Sequence, residues 1–458
     1  MMKYNIRDII LESPSGKGEE WLEKQKGIEW SYKINERLAS VEQMEKIFLT
    51  KKGDSKYFLE NFLNLGKSKP LINFMESCTH CGICIDKCHM FISTGDVNNS
   101  PVGRAELVRK IYKHPKETNV DISKIYSYYY QCTECRRCAV FCPNGIDQSE
   151  ITRNVREILT SMGLMPEYLA TTLAQVYRVG NNLGLNEKSI ANVAAFLEDD
   201  LKEETGKEIK IPLNSKADFL LIPSSTDLFV NTDTMKGYAK VLNTLGKSWT
   251  ISSRTTEAAN FGLFASEKYL RDFGDAVVKE AVSLGVKTVL WGECGHGWRS
   301  ANNYVRYELA KKGINLMHIH QFTWKAMERN TIKVDKNKND DLYTYHDPCN
   351  YARGGNLVNE PRQILKNVVR EVVEAKFTKE ETFCCGAGAG LLADEKEWNE
   401  FRAWAGWPAV YFSWKTNAHY MVSPCAIDKA QFPFVISFHK VPLLHKGLMD
   451  LVSNAIEI

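Results

Sequence analysis

The chain has 458 residues, of which 44% are hydrophobic and 25% are charged, and its formal net charge is +3. These values are typical of globular proteins, and the length predicts two or three domains rather than one core. The near-neutral charge, without a dense Lys/Arg block, gives no support to nucleic-acid binding. The N-terminus lacks an apolar signal core, and no window approaches the roughly 18 apolar residues of a membrane span. The sequence therefore predicts a cytoplasmic protein that does not cross the bilayer.

Residues 1–75 are polar and mostly helical in pattern, with apolar residues at helical spacing in 35–49 and 55–65. A covering or docking segment is one interpretation, and a plain helical extension is the simpler one. The whole chain contains thirteen cysteines and no secretory signal, which indicates metal or redox chemistry rather than disulfides.

Two cysteine runs of identical spacing follow, each of the form C-x2-C-x2-C-x3-C. This is the bacterial ferredoxin spacing, in which three thiolates bind one cluster and the fourth binds the other. The sequence therefore predicts one cubane 4Fe–4S cluster on Cys78, Cys81, Cys84 and Cys142, and a second on Cys132, Cys135, Cys138 and Cys88. Zinc is the competing interpretation, but zinc sites usually pair two C-x-x-C units. His89 stands where such a run is usually followed by proline, which leaves all the ligands in place.

The long spacer between the runs contains two predicted helices, at 104–112 and 122–130. Such a spacer favours an all-helical two-cluster ferredoxin domain over a compact bacterial ferredoxin. Further helices are predicted at 149–162, 166–179 and 198–210, the last of them solvated. The segment 211–215 is the predicted domain boundary.

Beyond this boundary, short apolar strands alternate with helical segments, which predicts parallel sheets covered by helices. Strands are predicted at 219–222, 288–291, 342–345, 419–422 and 434–436. Helices are predicted at 235–245, 266–284, 361–375 and 441–456.

Four further thiols lie on three predicted loops of this region: Cys349, the adjacent pair Cys384 and Cys385, and Cys425. Adjacent cysteines do not easily bridge each other, because disulfide geometry is specific and their Cβ vectors diverge. The Gly-Ala-Gly-Ala-Gly run behind the pair lets the backbone approach a bulky inorganic group. Since thiolates are the usual ligands of soft metals and iron–sulfur clusters, these residues predict one metal centre. Buried structural cysteines are the alternative.

The C-terminal half contains the same unit twice. Superposing residues 220–225 on 344–349 pairs the two units in order. The pairs are Ser225 with Cys349, Asn260 with Cys384, Phe261 with Cys385, and Cys294 with Cys425. Coincidence is the alternative, but three matches in one order favour a first repeat that kept a single thiol.

The Cys349…Cys384-Cys385-Gly386…Cys425 arrangement resembles the cysteine-rich CCG domain of heterodisulfide reductases. Joined to two ferredoxin runs, it resembles the HdrD family of catalytic subunits and its relative DsrK, and the segment 93–109 is more similar to DsrK. The resemblance covers residues 76–458. It implies an all-helical two-cluster ferredoxin domain followed by an α/β domain of two pseudo-symmetric CCG-type repeats. The corresponding limits are a helical extension at 1–75, the ferredoxin domain at 76–210, a degenerate repeat at 216–330 and an intact repeat at 340–458.

In that family the CCG cysteines hold a non-cubane 4Fe–4S cluster, at which disulfide chemistry proceeds in one-electron steps. The resemblance implies that Cys349, Cys384, Cys385 and Cys425 are its ligands here. The family motif ends in C-x-x-C, and Val422 replaces the first of those two cysteines. Either Cys294 supplies the missing thiolate across the pseudo-twofold axis, or the site holds an ordinary four-thiolate cluster.

Three residues next to these cysteine loops, His346, Glu293 and His296, are candidate proton donors to a leaving sulfur. For His346 the alternative is a capping or supporting role around the ligands.

The implied function is a catalytic subunit at the cytoplasmic face of a membrane complex. It would exchange electrons between a membrane cytochrome b or quinone pool and a thiol, disulfide or trisulfide. The substrate is the small protein DsrC in the DsrK branch and a coenzyme heterodisulfide in the HdrD branch. One alternative is the iron–sulfur subunit of a flavin-linked glycolate, lactate or glycerol-phosphate dehydrogenase, although no G-x-G-x-x-G fingerprint follows a strand. The other is a non-catalytic relay, which fits less well because only one repeat kept the double cysteine.

Overall fold

The computed structural model describes residues 6–25, 55–65, 69–116, 119–391 and 398–458. The predicted helix at 35–49 lies outside these residues. The described residues before Phe219 form helices and no strand. These helices are Ile6–Leu11, Gly18–Gln25, Ser55–Leu65, Lys69–Ser77, His89–Thr94, Pro101–Lys113, Ile122–Tyr130, Arg137–Val140, Gln148–Ser161, Glu167–Val179 and Glu187–Thr205.

Capping residues decide where several of these helices begin. Helix Pro101–Lys113 starts before the predicted residue 104, because the Ser100 side chain accepts a hydrogen bond from the Gly103 N–H and Pro101 occupies the first turn. Asp121 caps helix Ile122–Tyr130 in the same way, through the N–H of Lys124, and this helix has the predicted limits. Local capping signals therefore set the first residues of these two helices.

The C-terminal half contains two parallel four-stranded sheets. The first consists of β1 (Phe219–Ile222), β2 (Trp249–Thr250), β3 (Thr288–Trp291) and β4 (Asn315–His318). The second consists of β5 (Leu342–Tyr345), β6 (Glu371–Glu374), β7 (Tyr420–Val422) and β8 (Leu444–Lys446). The strand orders are β2-β1-β3-β4 and β6-β5-β7-β8. In each sheet the second strand along the chain is an edge strand that pairs with the first. This shared order is the topology expected of a duplicated unit.

Helices connect and cover these strands. They are Ser225–Phe229, Thr232–Thr244, Ala259–Ala265, Glu267–Ser283, Gly295–Ser300, Arg306–Ala310, Ile319–Glu328, Cys349–Ala352, Asn359–Val368, Asn399–Trp414, Ala426–His439 and Leu448–Ala455. A π-helical turn (Ala301–Val305) and short 3-10 turns (Val97–Asn99, Lys336–Lys338 and Lys379–Glu381) complete the elements. The all-helical first part and the α/β second part confirm the predicted fold class.

Four predicted elements are wrong in whole or in part. The predicted helix 198–210 begins earlier, at Glu187, and ends at Thr205. The predicted strand at 434–436 lies inside helix Ala426–His439, because a short apolar run in a buried helix has the same composition as a buried strand. The predicted helix 361–375 ends at Val368. The β-branched residues Val372 and Val373 belong instead to strand β6. The predicted helix 441–456 begins only at Leu448, because Leu444–Lys446 pairs with β7.

Buried arginines attach the helical region to the α/β region. Arg156, which is almost fully buried, donates to the carbonyl of Cys132 at 2.7 Å and to that of Ala389 at 3.4 Å. Arg353 donates through Nε to the carbonyl of Cys135 and through a terminal guanidinium nitrogen to the Thr382 carbonyl at 2.9 Å. Charge-assisted bonds to buried carbonyls are among the stronger hydrogen bonds in proteins. The second cysteine run is therefore held directly against the loop that follows Cys384 and Cys385.

Candidate metal centres

The two ferredoxin-type runs fold around two adjacent cavities. The first cavity is lined by Cys78, Cys81, Cys84 and Cys142, and also by Cys138. The second is lined by Cys88, Cys132, Cys135 and Cys138. Each cavity thus collects three thiols from one run and the last thiol of the other run. Each cavity therefore contains one of the two crossed sets that the spacing predicts, and Cys138 lines both. That each set binds one cluster stays a prediction.

The backbone of both runs is shaped to surround an anionic group. His80 and Gly82 have φ angles of 56° and 76°, and the equivalent residues Glu134 and Arg136 have φ angles of 51° and 64°. Left-handed residues within a tight turn direct successive backbone N–H groups to one side and form an anion-binding concavity. A reduced cluster with its thiolates is strongly negative. The loops therefore fit the group that their cysteines imply.

The two cavities differ in burial. Cys81 of the first cavity is exposed, whereas Cys88 and Cys132 of the second are buried. Buried Arg104 lies beside the second cavity, with one guanidinium nitrogen 3.8 Å from the Sγ of Cys88. A buried cation needs a compensating negative charge. The second cavity is thus an interior site with a resident counter-charge, and the first lies at the surface.

The CCG cysteines meet at one edge of the second sheet. Cys349 follows β5 and Cys425 follows β7, and parallel strands bring their carboxyl ends to the same edge. Cys384 and Cys385 reach this edge from the loop that follows β6. All four thiols are buried, Cys384 completely. Four thiols in an apolar interior are a soft-metal donor set, so the residues fit the implied cluster.

Cys384 lies at the centre of this group. Hydrogen bonds from the thiols of Cys135, Cys349 and Cys385 hold the pKa of Cys384 well below its ordinary value. The pKa values of Cys349 and Cys385 are raised, chiefly by their bond to Cys384 and by burial. Cys384, which contacts each of the other three thiols, is therefore the one that most readily forms a thiolate. Cys135 belongs to the second ferredoxin-type cavity, which therefore lies against the CCG site.

Cys294 of the first repeat lies beside Cys425. The N–H of Gly295 donates to the Sγ of Cys425 at 3.3 Å, and the N–H of Gly297 donates to the Sγ of Cys294 at 3.3 Å. A Cβ atom on Gly295 would lie 3.2 Å from the Cys425 sulfur, so glycine permits this approach. The structure thus brings a fifth thiol to the edge of the site.

Two of the three positions where the first repeat lacks cysteines are filled by polar residues, and the third is filled by Phe261. Asn260, which aligns with Cys384, donates its side-chain amide to the Sγ of Cys294 at 3.5 Å. Ser225, which aligns with Cys349, donates its N–H to the Glu257 carboxylate at 3.0 Å. Asn260 therefore supports Cys294 from a position that carries a cysteine in the second repeat.

The predicted histidines flank the site as neutral groups. Burial is the main cause that lowers the pKa of both His346 and His296 to about 3. The Nε2 atoms of both are buried without a hydrogen-bond partner. A Cβ atom on Gly388 would lie 2.7 Å from Cε1 of His296, so His296 packs on the glycine run behind the double cysteine. Neutral rings with a free nitrogen favour hydrogen bonding to a bound group over general-acid catalysis.

Glu293 takes another role. Its carboxylate lies 2.9 Å from Nζ of Lys429 and 2.7 Å from Nε2 of His320, and burial raises its pKa to about 7. Lys429 also binds Asp227 at 2.7 Å, so it joins carboxylates of the first repeat to a helix of the second. Glu293 therefore belongs to a buried ion cluster between the two repeats.

Asp428 is a site residue that the sequence did not predict. Burial raises its pKa to about 7, and its carboxyl group contacts the thiol of Cys385. The Ser423 hydroxyl donates to its Oδ2 at 2.6 Å, and Nε2 of His346 lies 3.9 Å from the same oxygen. Its place in the first turn after Cys425 was the available signal, but sequence alone does not show that this carboxyl group points to the cysteines.

Comparison with known proteins agrees with this architecture. Residues 74–146 match the 4Fe-4S dicluster domain family, and residues 343–428 match the cysteine-rich (CCG) domain family. The helical dicluster region and the α/β cysteine-rich region define the class: an iron–sulfur subunit of an oxidoreductase, with 4Fe–4S clusters as cofactors.

Relatives identify the family within this class. The Hdr-like menaquinol oxidoreductase iron-sulfur subunit 2 of Archaeoglobus fulgidus is 35% identical, covering 86% of this chain and 81% of the relative. The corresponding subunit of Archaeoglobus profundus is 34% identical with the same coverage. One subunit of the dihydromethanophenazine:CoB–CoM heterodisulfide reductase of Methanosarcina barkeri is 23% identical, covering 83% of this chain and 94% of the relative. The chain belongs to the HdrD-like family of iron–sulfur subunits, as the sequence predicted. Within the described ranges, no helix has the length and apolarity needed to cross a membrane.

Proposed function

We propose that this chain is the catalytic subunit of a membrane-associated redox complex that acts on a thiol, disulfide or trisulfide substrate. Electrons would pass between a membrane cytochrome b-type subunit, or the quinone pool, and the CCG site. The substrate class is a sulfur compound such as the small protein DsrC or a coenzyme heterodisulfide. The menaquinol oxidoreductase and heterodisulfide reductase names of the relatives support this assignment. We place the chain on the cytoplasmic face of the membrane.

One observation carries the proposal: the three cysteine sites form an unbroken row from the surface to the interior. The first cavity, with exposed Cys81, adjoins the second through Cys138. The second meets the CCG site where Cys135 contacts Cys384. A two-electron reaction needs such a chain of clusters, because each cluster transfers only one electron at a time. The inner end of the row is therefore the reaction site that we propose.

The ligands that we assign to the CCG site are Cys349, Cys384, Cys385 and Cys425, with Cys294 as a fifth thiolate. Five thiols exceed the four that a cubane takes, which supports the non-cubane alternative. When bound, such a cluster supplies one-electron chemistry at an iron that can accept a sulfur ligand. Burial of all five thiols excludes water from it. Asp428, with its pKa near neutrality, can hold a proton beside Cys385.

The proposed domain limits follow the same arrangement. The N-terminal extension occupies 1–75, the two-cluster domain 76–210, the degenerate repeat 216–330 and the intact repeat 340–458. The first repeat contributes Cys294 and its supporting amides, and the second contributes the other four thiols. A catalytic site at the junction of the repeats explains why a repeat that lost three cysteines is retained.

An electron paramagnetic resonance (EPR) spectrum of anaerobically purified, oxidised protein tests the proposal, together with its iron content. We expect a paramagnetic signal that changes when candidate thiols are added and disappears in Cys385→Ser. Cys81→Ser is the matched control, because it should disturb only the outermost cluster. An EPR-silent oxidised protein with iron for only two cubanes would exclude catalysis at the CCG site and leave the chain as a relay.

A further inference from the structure

A histidine and a threonine occupy the junction between the second ferredoxin-type site and the CCG site. His89 follows Cys88 directly, where runs of this kind usually carry proline, and its side chain is 1% exposed. Its Nδ1 lies 3.9 Å from the Sγ of Cys135. Its Nε2 lies 3.2 Å from the hydroxyl oxygen of Thr133. His89 therefore contacts a predicted cluster ligand on one side and Thr133 on the other.

Thr133 continues the contact to the CCG site. Its side chain is 1% exposed, and its hydroxyl oxygen lies 3.4 Å from the Sγ of Cys384. One ring nitrogen of His89 and the sulfur atoms of Cys135 and Cys384 all lie within 4.8 Å of one another. A hydrogen-bonding path of two side chains thus runs between one thiol of each centre, at the point where electrons would cross.

The number of protons limits what this pair can donate. A neutral imidazole carries one N–H, and a hydroxyl group carries one O–H. If Nδ1 holds the proton, His89 donates to Cys135, and Thr133 donates back to Nε2. If Nε2 holds the proton, His89 donates to Thr133, and Thr133 is free to donate to Cys384. One arrangement places a hydrogen bond on the ferredoxin-type centre, and the other places it on the CCG centre.

We propose that His89 and Thr133 form a hydrogen-bond bridge that donates alternately to Cys135 and Cys384 and thereby sets how an electron is distributed between the two centres. Hydrogen bonds to ligand sulfurs stabilise the more negative, reduced cluster and raise its reduction potential. The two residues are positioning residues, because neither belongs to the ligand sets proposed above. The inference rests on the proposed function, because it assigns Cys135 and Cys384 to separate clusters.

Replacing Thr133 tests the bridge. Thr133→Val keeps the side-chain shape and removes the hydroxyl group, and Thr133→Ser keeps the hydroxyl group. An anaerobic redox titration followed by EPR reports the potential of each centre. In Thr133→Val we expect the equilibrium constant for reduction of the CCG centre to fall about tenfold, which lowers its reduction potential by about 59 mV for one electron. Thr133→Ser should stay near the wild-type value. The cluster on Cys78, Cys81, Cys84 and Cys142 is the internal reference and should not shift.

Replacing His89 separates the two directions of donation. Asparagine presents its amide nitrogen near the Nδ1 position, and glutamine presents it near the Nε2 position. His89→Asn should therefore favour reduction of the Cys135 centre, and His89→Gln should favour reduction of the CCG centre. Opposite shifts in these two variants support the bridge, because simple loosening of the fold would move both in the same direction.

Two negative results have different meanings. Unchanged potentials in fully iron-loaded Thr133→Val and His89→Gln would overturn the bridge while leaving the proposed function intact. Wild-type protein with iron for only two clusters would overturn the proposed function and the bridge with it. Iron content, measured for every variant, distinguishes these outcomes from a failure to assemble the clusters.

Discussion

The backbone N–H of Gly295 donates a hydrogen bond to the Sγ of Cys425, across the junction between the two repeats. Gly295 directly follows Cys294, so this bond holds the single thiol of the first repeat beside the last thiol of the second. Cys294 follows β3 of the first sheet and Cys425 follows β7 of the second. The two thiols therefore come together only because the two sheets pack against each other. The pairing of the two repeats is therefore part of the site.

Cys294→Ala tests whether the fifth thiol is a ligand. We expect the variant to lose about one third of its iron, together with the thiol-responsive EPR signal, because one of three clusters fails to assemble. Iron analysis and EPR measure both effects. Ser225→Ala is the control, because Ser225 occupies the first-repeat position that aligns with Cys349 and carries no thiol. It should leave the EPR spectrum unchanged. A wild-type spectrum in Cys294→Ala would favour the four-thiolate alternative.

Gly386→Ala should prevent the double-cysteine loop from packing. Gly386 has a φ of +85°, and an added Cβ atom would lie 2.5 Å from the backbone nitrogen of Gly406. We expect loss of the CCG signal with retention of the two ferredoxin-type signals. Gly206→Ala is a matched control with a φ of +68° and open space around the Cβ position. Its free energy of unfolding should fall only by the cost of a left-handed alanine, about 1–2 kcal/mol. Equal behaviour of the two variants would argue against the steric explanation.

Lys429→Met should destabilise the contact between the repeats. Lys429 is 3% exposed and binds the carboxylates of Asp227 and Glu293 at 2.7 and 2.9 Å. Removing the cation leaves two buried carboxylates without compensation, which typically costs about 3–5 kcal/mol. Urea unfolding followed by circular dichroism measures the change. Lys287→Met removes a lysine from an exposed ion pair with Asp218 and should barely shift the unfolding midpoint. Similar shifts in both variants would contradict the prediction.

Glu257→Gln should remove part of the pH dependence of folding stability. Burial raises the pKa of Glu257 from 4.5 to about 7. Between these values the unfolded chain loses the proton while the folded protein keeps it, so the free energy of unfolding falls as the pH rises. The loss is complete above the folded pKa and amounts to roughly 3 kcal/mol. Denaturation at pH 5 and pH 8 should show a smaller difference for the variant than for the wild type. The same difference in both proteins would mean that Glu257 is ionised in the folded state throughout.

Much of the architecture could be predicted from local sequence. Helix Ile122–Tyr130 and strands β1, β3 and β5 have the predicted limits, because caps, punctuation and apolar runs act within a few residues. The strand predicted at 434–436 failed because periodicity does not distinguish a fully buried helix from a strand. The short strands β2, β4, β6 and β8 were missed because pairing in the sheet, rather than residue type, selects them.

The sequence by itself determined the number and class of the metal-binding motifs, since ligand spacing within a run is a local property. Only the tertiary structure placed Cys135 against Cys384 and Cys294 beside Cys425. It also directed Asp428 toward Cys385 and turned Glu293 to Lys429. These relationships join segments that are far apart in the chain. They depend on how two sheets and a helical domain pack, and no local pattern of residues encodes that packing.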